Sequence, residues 1–131
     1  MGQPAAKQGD MVVATDTHII LIPAPPAPPI PTPLPHPFNG VLTGSLSTNV
    51  LIMGLPAATQ GSTATNTPPH IPQGGPFQMP PSNQATILMG SATVLINGKP
   101  AACNGNQAMT CNDPADMPVE SVVATGTVLF G

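Results

Sequence analysis

At 131 residues the chain has the size of one domain, and two Lys, no Arg and a net charge of −3 leave it nothing with which to neutralise nucleic-acid phosphates or an anionic membrane surface. With 20 Pro, 13 Gly, no Trp or Tyr and 5% charged residues, but 40% hydrophobic ones, it lacks the composition of a disordered chain. It has apolar material yet few large side chains for a core, the situation in which a small domain adds a metal, a disulfide or a partner. No run of apolar residues is long enough for a transmembrane helix, and the N-terminus lacks the charged-then-apolar layout of a secretion signal. This implies assembly in a cytoplasm, where two cysteines serve as ligands or free thiols more readily than as a disulfide.

In chain order, the sequence opens on half of a repeat. Gly2–Gly9 reads G-x-P-A-A-x-x-G, and short β-branched strands follow at Met11–Ala14 and His18–Ile22. Residues 23–37 hold nine prolines and are expected to form a stiff loop that presents His36. After a strand at Val41–Leu42, residues 44–61 give the complete repeat, GSLSTNVLIMGLPAATQG. Its V-L-I run predicts a short strand, and the G-x-P that follows predicts a turn. A second Pro-rich loop, 68–81, opens on His70; a strand at Thr86–Met89 then leads into the repeat at 90–105, GSATVLINGKPAACNG. Strands at Ser121–Ala124 and Thr127–Phe130 close the chain, the last supplying the V-L-F half missing from the first copy.

Read in a circle, the chain holds three copies of one unit. It is therefore expected to be all-β, a single domain over residues 1–131 with approximate threefold symmetry, its last strand lying beside its first turn. No segment carries a helical period of useful length.

The repeat also registers the candidate ligands. His18 lies fourteen residues after Pro4 and His70 fourteen after Pro56; fourteen after Pro100 is Pro114, with Cys111 three residues earlier. Cys103 occupies the slot of Lys7 and Thr59, directly after the tripeptide, and reads as a repeat-variable side chain. Three imidazoles and one thiolate make a closed tetrahedral zinc set, structural rather than catalytic because no position stays open. The five acids, Asp10, Asp16, Asp113, Asp116 and Glu120, show no paired spacing, and no nucleophile–base signature or phosphate loop is present. An enzyme is not expected.

The start P-A-A-x-x-G-D, the repeated V-L-I-x-G-x-P-A-A and the His/Cys set together resemble the PAAR-repeat family. The tripeptide's usual following Arg is replaced by Lys7, Thr59 and Cys103. The resemblance implies a small cone of short β-strands whose base binds the blunt end of a trimeric β-helical spike in type VI secretion or a related contractile injection system. It also implies one structural zinc ion near the apex, held by His18, His36, His70 and Cys111. The expected life cycle is cytoplasmic assembly, carriage at the tip of the apparatus and transient contact with a target membrane. Effector cargo would ride elsewhere, because the chain starts at its first repeat and ends at its last strand. The alternative reading is a zinc-binding adaptor or carrier that uses its Pro-rich segment for partner recognition.

Overall fold

The computed structural model describes residues 2–72, 74–112 and 117–130. Gln73, Asp113, Pro114 and Asp116, noted in the sequence, lie outside the described residues. Among those described there are twelve strands and no helix: β1 (Gln3–Pro4), β2 (Met11–Ala24), β3 (Ala27–Gly44), β4 (Leu51–Ile52), β5 (Leu55–Pro56), β6 (Thr63–Asn66), β7 (Gln84–Ile87), β8 (Leu95–Ile96), β9 (Lys99–Pro100), β10 (Gln107–Thr110), β11 (Met117–Val123) and β12 (Leu129–Phe130). Six of them close an antiparallel barrel in the order β10-β11-β2-β3-β6-β7. The other six form two-stranded ribbons, β1-β12, β4-β5 and β8-β9. The ribbon β1-β12 joins the two ends of the chain, with Gln3 opposite Phe130 and Pro4 opposite Leu129, so the split copy of the repeat is completed in space.

The threefold expectation is met bond for bond at the Pro-Ala-Ala tripeptides. Ala6 N donates to Ala102 O (2.9 Å), Ala102 N to Ala58 O (3.0 Å) and Ala58 N to Ala6 O (3.0 Å), a closed ring of backbone hydrogen bonds. A second ring runs from Gln8 N to Pro56 O, Gln60 N to Pro100 O and Asn104 N to Pro4 O. Each arm then caps its own turn with a short polar side chain, as Asp10 accepts from Lys7 N, Ser62 from Thr59 N and Asn106 from Cys103 N. Only a small side chain fits where three backbones meet, and Ala6, Ala58 and Ala102 are fully buried. The ring separates two cores. On one side Ala5, Ala57 and Ala101 pack with Ile52 and Ile96 beneath the ribbons; on the other Ala6, Ala58 and Ala102 pack with Val12, Phe38, Leu42, Ile87 and Val122 inside the barrel.

The turns obey the same logic. In the two hairpins β4-β5 and β8-β9, Met53-Gly54 and Asn97-Gly98 all have positive φ, as a two-residue hairpin turn requires. Asn-Gly suits that geometry better than Met-Gly.

The Pro-rich segment corrects the sequence reading. Residues 23–37 are not a loop: β2 and β3 form one long hairpin, paired from Met11 opposite Val41 to Ala24 opposite Ala27. The reason lies in the spacing of the prolines. Pro29, Pro31, Pro33, Pro35 and Pro37 alternate with Ile30, Thr32, Leu34, His36 and Phe38. Odd-numbered residues of β2 bond away from β3: Thr17 N donates to Asn112 Oδ1, Ile19 O accepts from Gln78 N, and Leu21 N donates to Pro76 O. Even-numbered residues therefore carry the ladder between β2 and β3, and the prolines sit where their nitrogens face outward and no ladder bond is lost. An edge without N–H donors also resists pairing with other chains. A segment held this way is not free to serve as a polyproline II ligand.

Beyond Asn66, Gln84 and Thr110 the hairpin continues without the other barrel strands, so the strand number falls toward its tip. It is strapped by residues 76–78, with Ile20 bridged to Phe77. Gly75 permits this approach: a Cβ there would overlap the Leu21 carbonyl oxygen and press on its carbon at 2.9 Å. Gly75→Ala is expected to loosen the strap at a cost of roughly 1–3 kcal/mol, a fall of roughly 3–15 °C in Tm by thermal denaturation. An unchanged Tm would show the strap contributes nothing.

Candidate metal centre

The period of two along β2 assembles the site. Val12, Asp16, His18 and Ile20 lie on its inward face, all 0% exposed, while Val13, Thr15 and Thr17 face out. The partner strand brings His36, opposite Asp16, onto the same inward face as Phe38. His70 arrives from the segment after β6, and Cys111 directly follows β10. Four sequence positions spread over 94 residues thus converge on one end of the barrel core, and all four are buried.

The three imidazole rings are mutual neighbours. Their ring centroids are 5.4 Å apart for His18 and His36, 4.8 Å for His18 and His70, and 5.5 Å for His36 and His70. Cys111 Sγ lies 3.6 Å from His18 Nε2. The rings of His18 and His36 also meet Phe77 edge-on or tilted, so the strap covers the cluster with an apolar surface. A cleft lined by His36, Asn66, Pro68, Pro69, His70 and Ile71 reaches the two outer histidines from solvent, a route by which an ion could enter.

The sequence reading passed over Asp16, and the structure puts it among these side chains. Thr110 Oγ1 and Asn112 Nδ2 donate to its Oδ1; its Oδ2 lies 3.0 Å from His70 Nε2 and 3.5 Å from Cys111 Sγ. Ligand atoms of Asp16, His18, His70 and Cys111 all fall within 4.8 Å of one another, a group able to hold a metal ion; His36, expected in the set, is a neighbour of this group and not one of the four. The signal available beforehand was the D-T-H spacing, which puts Asp16 on the same strand face as His18.

The donor set fits a metal on its own chemistry. His36 Nδ1 donates to the Leu34 carbonyl at 2.9 Å, which fixes the tautomer and leaves Nε2 with a free lone pair. That Nε2 is buried and has no hydrogen-bond partner among the described residues. A buried nitrogen without a partner is costly unless it binds something, and a backbone carbonyl on the opposite ring nitrogen is the usual support of a metal-ligating histidine. Burial pushes the Cys111 thiol up to about 11; the Asn83 backbone amide lowers it and the Asp16 carboxylate adds to the rise. Metal uptake near neutral pH must therefore displace the thiol proton. Cys103 is remote from this chemistry: it sits in the tripeptide ring, bridged to Ala5, its sulfur 3.3 Å from Asn106 Oδ1.

The structure thus defines a class: an all-β protein of three equivalent arms, closed around a backbone ring and carrying a buried His/Cys/Asp group at the far end of the barrel. The family model described as PAAR motif matches residues 77–131. That match makes residues 77–131 similar to the PAAR-motif family and supports the resemblance read from the repeats. The matched segment contains the third tripeptide, Pro100-Ala101-Ala102, and Cys111; the histidines lie outside it, in the arms that repeat its pattern. No curated protein matches the chain.

Proposed function

We propose that the whole chain, residues 1–131, is the tip of a contractile injection apparatus of the type VI secretion kind, seated on the blunt end of a trimeric β-helical spike. The observation that carries this is the pseudo-threefold ring together with the surface it presents. Leu51, Leu95 and Leu129 occupy equivalent places on the three ribbons and are 58%, 62% and 55% exposed. One chain thereby offers three matching apolar contacts, the arrangement a threefold partner needs in order to meet a single copy without a symmetry mismatch. Exposed large apolar side chains grouped this way mark an interaction surface.

The opposite end suits a piercing role. Residues 17–98 contain no Asp, Glu, Lys or Arg, so the hairpin beyond the buried Asp16, with its strap, carries no acidic or basic side chain of those types to be dehydrated on entering a membrane. His18, His36, His70 and Cys111 would hold one zinc ion, which supplies a cross-link between the arms where the hydrophobic core is thinnest. The chemistry is mechanical, and no catalytic step is assigned. The protein would be assembled in the cytoplasm, carried on the spike, and delivered into or through the target membrane. In cells with such a system, deletion of this chain is expected to abolish release of the spike protein, and the wild-type chain to restore it. Undiminished release from the deletion strain would sink the reading.

A further inference from the structure

We infer that Asp16 is itself a metal ligand, through Oδ2, so that the centre has five protein donors rather than the three histidines and one cysteine read from the sequence. The inference rests on the reading of the cluster as a metal site and deepens it. A fully buried carboxylate needs a positive partner. Neither lysine supplies one: Lys7 is bound to Asp10 at 3.1 Å and to the Thr125 carbonyl, and Lys99 is exposed on the β8-β9 ribbon. The basic group beside it is His70, whose Nε2 lies 3.0 Å from Oδ2 and carries charge only when protonated.

The two oxygens of Asp16 are used differently. Thr110 and Asn112 hold Oδ1 and so fix the plane of the carboxylate, while Oδ2 is turned into the cluster. The spacing around Oδ2 is that of ligands sharing one ion. Metal–nitrogen and metal–oxygen bonds of about 2.0–2.1 Å and a metal–sulfur bond of about 2.3 Å put neighbouring ligands of a five-coordinate ion roughly 2.9–3.6 Å apart for N and O, and roughly 3.1–3.8 Å apart for pairs with sulfur. The observed separations are 3.0 Å from Asp16 Oδ2 to His70 Nε2, 3.5 Å from Asp16 Oδ2 to Cys111 Sγ, and 3.6 Å from Cys111 Sγ to His18 Nε2.

Charge balance points the same way. A divalent ion with one thiolate and three neutral imidazoles leaves one uncompensated positive charge in a dry site, and the Asp16 carboxylate cancels it. His36 lies outside the four residues whose ligand atoms fall within 4.8 Å of one another; it is kept as the fifth donor because its buried Nε2 has no hydrogen-bond partner among the described residues.

The test loads the full-length protein with cobalt(II) and records its visible ligand-field spectrum, alongside Asp16→Asn. Five-coordinate cobalt absorbs several-fold more weakly than tetrahedral cobalt. The wild type should therefore give weak bands, and Asp16→Asn should give several-fold stronger ones with an affinity lower by roughly 10–100-fold. Intense tetrahedral bands in the wild type, unchanged by Asp16→Asn, would overturn Asp16 as a ligand and leave the four-ligand site standing. Failure of the wild type to take up cobalt or zinc at all would overturn the metal reading itself. X-ray absorption of the zinc-loaded wild type poses the question without a variant. One sulfur with four nitrogen or oxygen neighbours supports the inference, and one sulfur with three contradicts it.

Discussion

Cys111→Ser is expected to strip the protein of its metal and to lower its Tm by about 10–20 °C, whereas Cys103→Ser should keep the metal. Alanine dominates the barrel core: Ala6, Ala58, Ala64, Ala85, Ala102, Ala108 and Ala124 contribute, and Phe38 is its one aromatic side chain among the described residues. Alanine removes little apolar area from water, so hydrophobic burial leaves a shortfall that a metal cross-link can supply. A ligand held a thousandfold above its Kd stabilises by about 4 kcal/mol, and each kcal/mol moves the Tm of a chain this size by about 3–5 °C. Chelation of the wild type should reproduce the same fall. The two cysteines separate cleanly because Cys111 touches His18 and Asp16, while Cys103 bonds Asn106 in the tripeptide ring. Metal analysis with calorimetry reads both variants. Loss of metal from Cys103→Ser but not from Cys111→Ser would mean the ion sits at the other end of the molecule.

The second large effect concerns the ribbons. Joint replacement of Leu51, Leu95 and Leu129 by Asp is expected to weaken binding to a trimeric spike by at least about a thousandfold. Each leucine that becomes buried on docking contributes roughly 1.5–3 kcal/mol, so three together exceed the roughly 4 kcal/mol that a thousandfold change requires. Their side chains stand out from the fold, and Ile52 and Ile96 beneath them remain in place, so metal content and Tm should hardly move. Isothermal titration against the spike measures the loss. Unchanged affinity in a folded, metal-loaded triple variant would show that docking uses another surface.

Much of this architecture can be read from the chain because the threefold pattern is written in backbone-determining residues. Gly-x-Pro-Ala-Ala-x-x-Gly recurs because the turn needs glycine and the meeting point of the arms needs alanine. The positions of Ala6, Ala58 and Ala102 in one hydrogen-bonded ring follow from that spacing. His18 and His70, at matched offsets from equivalent turns, come together with ring centroids 4.8 Å apart, although His18 lies within β2 and His70 in the segment after β6.

Two features escaped the sequence reading on physical grounds. The run from Pro29 to Pro37 looks like a loop when prolines are counted, and like an edge strand only when their period of two is set against the outward-facing nitrogens of β3. Asp16 looks like an isolated acid in a list of charges. Its neighbours Thr110, Asn112, His70 and Cys111 come from distant parts of the chain, brought to it by barrel closure rather than by any local motif.

The claim that one pseudo-threefold chain caps a true threefold spike is tested most directly by the stoichiometry of the complex. Native mass spectrometry of the zinc-loaded protein mixed in excess with a trimeric spike should show one copy of this chain per three spike chains. Three copies per trimer, or no complex at all, would contradict it.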